Sequence, residues 1–130
     1  MNLYLLIQCI AVGVILYLIF RNVIIGRIKE EPPIQVMDYL YRPGYLFIDV
    51  REKDEFFSAH IPKSKNVPMS ELKYVFKRIE TDKRLVVVSK SGEKSKNAVS
   101  FLKDNGYDNL ISLKGGLVAW QKSDYPLECG

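Results

Sequence analysis

Between Leu85 and Ser95 the chain reads LVVVSKSGEKS: four apolar residues, a short loop with one glycine among alternating serines and lysines, then the start of an amphipathic segment. That order predicts a strand, an anion-sized loop and a helix N-terminus, the loop running through Ser89, Lys90, Ser91, Gly92, Glu93, Lys94 and Ser95. Backbone N–H groups of such a loop and of the first helical turn converge on one point, and the helix dipole adds partial positive charge there. A small anion such as sulfate, thiosulfate or phosphate is the expected ligand, favoured by Lys90 and Lys94. Lys96, answered by Glu93, reads as an ordinary solvated helix start. Ser89 ends the strand and therefore sits in the bowl.

The elements that must position this loop follow from the apolar pattern. Ile34–Tyr41 has Val36, Met37 and Leu40 at helical spacing, and Pro43-Gly44 ends it as a turn. Tyr45–Val50 reads as a buried strand. Glu52–Ala59 reads as a short helix with acids near its N-terminus, its Phe56 and Phe57 covering one sheet face. A short extended piece, Asn66–Pro68, precedes an amphipathic helix from Ser70 with Leu72, Val75, Phe76 and Ile79 on one face. Leu85–Val88 is apolar without alternation, as in a strand covered on both faces. The helix from Glu93 buries Ala98, Phe101 and Leu102 and ends at Asn105-Gly106. Leu110–Leu113 is a further strand, Gly115-Gly116 a tight turn, and Leu117–Gln121 a final helix carrying Trp120. Strands alternating with helices give an α/β fold, a mainly parallel sheet with helices on both faces and its site at the C-terminal ends of the strands.

At 130 residues the chain holds one domain and a short appendage. Leu3–Phe20 is almost wholly apolar, broken by Gln8 and Cys9, and Val23–Ile25 extends the run past Arg21; such a segment is long enough to span a bilayer core as one transmembrane helix. It lacks basic residues before the run and a small-residue cleavage site, so a retained anchor is expected rather than a removed signal. Arg21, Arg27 and Lys29 follow the run, and the positive-inside rule then puts the rest of the chain on the cytoplasmic side of a single-pass protein. Residues 1–29 are the expected anchor and basic flank, and Glu30–Pro33 a stiff polar linker before a domain over 34–130. With Arg21, Arg27, Lys29 and Glu30 set aside, residues 31–130 hold 16 basic and 14 acidic side chains. That balance gives no nucleic-acid surface. Cys9 and Cys129 lie in the anchor and beside the C-terminus, so neither a disulfide framework nor a metal cluster is expected, and no cofactor.

Three stretches together resemble the signatures of the rhodanese (sulfurtransferase) family: FIDVREKDEFFSAHIPKSKNVP, the SKSGEKS loop and NLISLKGGLVAW. They stand in the family's order and span nearly all of residues 34–127. Gly92, Lys94 and Ser95 fit the loop pattern, while Ser89 stands where the family has its cysteine. Ala59 and Lys63 stand where the first signature often has glycine, and Lys94 where arginine is usual. In the family a cysteine thiolate attacks a sulfane sulfur and holds it as a persulfide, with loop amides and a cation stabilising the charge. A serine hydroxyl is far less acidic and has no persulfide analogue, so no catalytic residue is expected here.

The resemblance further implies that Asp49 and Arg51 brace loops by charge-assisted hydrogen bonds, with Glu55 a partner. It also implies a structural His60, the only histidine, which leaves a Ser–His hydrolase without an oriented base. Related phosphatases use a loop one residue longer and also a cysteine. The expected function is a membrane-tethered, catalytically silent domain that binds an anion or a protein partner. The alternatives are a thiosulfate or persulfide sulfurtransferase, and a structural component of a membrane complex.

Overall fold

The computed structural model describes residues 2–25 and 28–130. Gly26 and Arg27, on which the expected basic flank partly rests, lie outside the described residues. Helix α1 spans Leu3–Ile25. Its 23 residues make about 35 Å at 1.5 Å per residue, enough for a hydrocarbon core of about 30 Å. Among the described residues it is the one helix long and apolar enough to cross a membrane.

The remaining chain forms the expected α/β fold. Five strands, β1 (Glu30–Glu31), β2 (Tyr45–Asp49), β3 (Lys65–Asn66), β4 (Arg84–Val88) and β5 (Leu110–Leu113), lie in the order β1-β5-β4-β2-β3, and every pairing is parallel. The connecting helices are α2 (Pro33–Tyr39), α3 (Lys53–Ser58), α4 (Met69–Val75) with a 3-10 turn at Phe76–Arg78, α5 (Glu93–Asp104) and α6 (Gly116–Lys122). Period-two alternation divides each strand between two cores. Leu46, Ile48, Leu85 and Val87 pack with Leu72, Ala98 and Leu102 on one face; Phe47, Val86, Val88 and Ile111 pack with Val36, Leu117 and Trp120 on the other. Burial on both faces is why LVVV in β4 carries no polar alternation.

Four local expectations are corrected. Glu30 and Glu31, read as part of a linker, form the edge strand β1: Ser112 N–H donates to Lys29 O and Lys114 N–H to Glu31 O, both at 2.9 Å. Glu30 Oε1 also lies 2.8 Å from Lys96 Nζ on α5. That hydrogen bond, together with the carboxylate's charge, raises the lysine pKa above its ordinary value. Pro32 and Pro33 start α2 instead of separating it from α1, because a proline in the first helical turn sacrifices an N–H that has no partner anyway. The amphipathic pattern from Ser70 to Ile79 breaks at Val75, where φ −118° and ψ 0° tighten the chain into the 3-10 turn. The Tyr107 hydroxyl fastens that turn by donating toward the carbonyls of Phe76 and Ile79. Finally, Phe57 does not cover the sheet; it is 55% exposed, while Phe56 is buried and stacks on the His60 ring at 4.0 Å.

Because β1 contributes ladder hydrogen bonds and Ile28 packs against the core, where a fragment begins decides its stability. A fragment of residues 28–130 is expected to unfold in urea as a single cooperative transition. Its counterpart starting at residue 32 is expected to be less stable by more than about 2 kcal/mol, the two hydrogen bonds accounting for about 1 kcal/mol each and the packing of Ile28 adding to them. Equal midpoints and slopes for the two would show that β1 adds nothing.

Candidate functional site

β4 ends at Val88 in the middle of the sheet, and the chain leaves it through Ser89–Gly92 before entering α5. Gly92 caps α5 at φ +100°, a conformation that costs an L side chain energy, and a Cβ there would meet Gly115 N at 3.2 Å. The loop is fastened from the other side by α6. Leu117 N–H donates to Ser89 O at 2.8 Å and Val118 N–H to Lys90 O at 3.0 Å, so two orphan amides of α6 are satisfied by loop carbonyls. This contact requires Gly116: a Cβ at that residue, φ +59°, would lie 2.5 Å from Ser89 O and 2.6 Å from Lys90 O.

Under the loop lies a chain of hydroxyls. Gly92 N–H donates to Ser89 Oγ at 3.0 Å, Ser89 Oγ to Ser95 Oγ at 3.1 Å, and Ser95 Oγ to Gly92 O at 2.9 Å. Ser112 Oγ on β5 is 2.8 Å from Ser95 Oγ. Each hydroxyl has one proton, and that of Ser95 is spent on Gly92 O, so Ser112 is the donor in this last bond. All three serines are buried, Ser89 to 1% exposure. The proton of Ser89 therefore points into the protein, onto a hydroxyl that is no base.

Asp49 and Arg51 pair at the end of β2. The guanidinium forks onto the carboxylate, with Nε 3.1 Å from both oxygens and Nη2 2.9 Å from Oδ2. Nη2 also donates to Ala59 O at 2.6 Å. Asn66 Nδ2 joins the backbone carbonyls of Asp49 and Arg51 to β3. Glu55 is not part of this brace: among the described residues no hydrogen bond or ion pair joins it to Arg51. The guanidinium instead engages Asp49 through Nε and Nη2 and Ala59 O through Nη2.

Glu55 instead lines the recess in front of the loop, a space of about 220 Å³ bounded by Arg51, Glu52, Glu55, Ser89, Lys90, Ser91, Glu93 and Lys94. Gly92 and Ser95 stand behind this wall and shape it. Three carboxylates face two lysines and an arginine whose charge Asp49 already meets, so the recess is mixed in charge rather than uniformly basic. Glu52 and Ser112 were not singled out from the sequence. The signal for Ser112 is a hydroxyl inside the buried run LISL, and for Glu52 its place directly after the strand-end Arg51.

The other residues considered stand apart. His60 is buried with Nδ1 2.9 Å from Phe56 O and Nε2 3.8 Å from Glu128, outside the recess lining. Cys129 is exposed in a tail whose flanking residues bond to α3 and its C-terminal end, Glu128 N–H to His60 O and Gly130 N–H to Phe57 O, each at 2.8 Å. It does not line the recess either. Of the two positions where glycine was expected, Ala59 has an extended backbone open to any residue. Lys63 is left-handed at φ +66°, so glycine would suit it better.

A family model described as "Rhodanese-like domain" matches residues 33–123. The thiosulfate sulfurtransferase GlpE of Pseudomonas syringae pv. syringae is 33% identical over 100 residues, covering 77% of this chain and 92% of that protein. YqhL of Bacillus subtilis is 35% identical over 106 residues, 82% of this chain and 83% of its own. Among solved structures, a rhodanese-related protein from Thermoplasma volcanium superposes with a TM-score of 0.73 at 30% identity, covering 78% of this chain and 99% of that one.

Two substitutions test how the site is held. Asp49→Ala leaves a buried guanidinium without its counter-charge and is expected to cost about 3–5 kcal/mol in urea unfolding. Ser95→Ala strands a carbonyl and two hydroxyls and is expected to cost about 1–3 kcal/mol. If Ser95→Ala unfolds at the wild-type midpoint, the hydroxyl chain does not hold the loop.

Proposed function

The chain belongs to the rhodanese-like domain family, and on that premise we propose that it is a membrane-tethered, catalytically silent member serving as a binding module. The observation that carries this reading is the bonding of Ser89. Nucleophilic attack by a hydroxyl needs a base to take its proton. That proton is donated to Ser95 Oγ within the protein, and the sole histidine is held against Phe56 O and Glu128. The family's sulfur transfer needs a thiol at this place, and the two cysteines of the chain lie elsewhere.

The recess is retained nonetheless. Gly92, Gly116 and the α6 amides keep the loop in shape, and the Asp49–Arg51 pair holds the neighbouring wall. Loop amides with Lys90 and Lys94 favour a negative group. Glu52, Glu55 and Glu93 oppose a free dianion and favour a ligand that brings cationic or donor groups beside its negative one. A protein segment meets that requirement better than free sulfate or phosphate. The tether is α1, and the basic residues after it favour the cytoplasmic side for the domain.

A second reading, sulfurtransferase activity, is favoured by the likeness to GlpE of Pseudomonas syringae. One assay divides the two. The purified protein and its Ser89→Cys variant are compared for transfer from thiosulfate to cyanide, in which the cysteine sulfur would take the sulfane sulfur, release sulfite, and pass the sulfur on as thiocyanate. The native protein is expected to form none above background and the variant to turn over. Silence of both would mark the loop as a scaffold only, and turnover by the native protein would establish the second reading.

A further inference from the structure

The anchor and the sheet are joined by very little chain. Ile28 already packs against the core, Lys29 O accepts from Ser112 N–H, and Glu30 is paired with Ser112 in β5 and with Lys96 on α5. From Ile25, the last residue of α1, to Ile28 there are three peptide links, which reach at most about 11 Å. The chain thus enters a fixed edge strand almost at once, and it does so at a defined end of the sheet. By the register of β1 on β5, Ile28 is level with Leu110, where β5 begins. Lys29 lies in a hollow of about 100 Å³ with Arg84, Asp108 and Asn109, the residues that open β4 and lead into β5.

All five strands are parallel, so their starts share one end and the loop after β4 lies at the other. Leu85 is level with Leu110. Ser89 comes four residues later, about 13 Å farther along the strand direction at about 3.3 Å per residue. We infer that the end of the sheet where the strands start is apposed to the lipid headgroups, and that the recess around Ser89 opens on the opposite end, toward the aqueous phase. This rests on the reading of α1 as a membrane span. The apposed end carries Lys29, Arg84 and Lys103 among Asp82, Asp104 and Asp108, while Arg42 pairs with Asp38 and Lys83 with Glu80, a polar surface of mixed charge suited to zwitterionic headgroups. The ligand of the recess then arrives from solution, and a lipid headgroup of the same bilayer is out of its reach.

The test uses the full chain with Cys9→Ala and Cys129→Ser, reconstituted in phosphatidylcholine and phosphatidylglycerol vesicles that contain a headgroup-linked nitroxide quencher. A fluorophore is placed on single exposed cysteines at the lower end, Asp82→Cys and Asp104→Cys, or on the loop, Ser91→Cys and Lys94→Cys. Two positions per end guard against one that perturbs folding. The protein should float with the vesicles, the lower pair should lose most of its emission, and the loop pair should keep it. Flotation with equal quenching at both ends, or stronger quenching of the loop pair, overturns the orientation and leaves the tether standing. Failure to float removes the tether, and the orientation with it.

Discussion

A single amide hydrogen, that of Gly92, is directed at Ser89 Oγ, and the architecture around the site is arranged to keep it there. Gly92 must be left-handed to turn the amide inward, and Gly115 must be close beneath it. The α6 N-terminus must hold the loop carbonyls, which in turn demands a residue without a side chain at Gly116. In a fold whose loops are shaped to receive a charge on sulfur, this amide would serve that charge. Here it serves a neutral hydroxyl. The Gly92 amide is satisfied without a ligand, so it adds less to the binding of an anion than a free amide would.

The same logic of internal satisfaction runs through the neighbouring wall. Arg51 is the one guanidinium at the recess, but Asp49 holds it bidentately and Ala59 O takes a further donor. Through Nε and Nη2 it joins the end of β2 to the end of α3. The two lysines on the loop remain exposed, and they are opposed by three carboxylates. Selectivity at such a recess comes from the pattern of charges a ligand presents, since no single sign dominates.

Much of this could be read from residue order. Long-range periodicity placed β2, β4, β5, α5 and α6, because each buries several apolar residues in a regular pattern. Ser89 and its loop were legible as a strand, a glycine and a helix start. What escaped were features with no period. β1 is two glutamates followed by two prolines, and it is a strand only because β5 offers an open edge beside it. Residue order favours Glu55 beside Arg51, while in the fold the guanidinium forks onto Asp49 and reaches Ala59 O. Ser112 left only a lone hydroxyl in the apolar run LISL, and the network that uses it joins three elements far apart in the chain. The left-handed turn at Lys63 showed only as a place where the family often has glycine, since lysine itself has no propensity for that conformation.

The sheet ends on both sides in strands of two residues, β1 and β3. An exposed edge is a template on which a second chain can add its own strand, and long apolar edges are where polymers begin. Two residues offer almost no template, and on β1 both of them are glutamates. The matter weighs more for a tethered domain than for a free one, since confinement to a surface raises the rate at which identical copies meet in the same orientation. Under the proposed tether, the brevity of β1 and β3 acts as a safeguard: copies crowding side by side on a bilayer would not have their sheets joined into one.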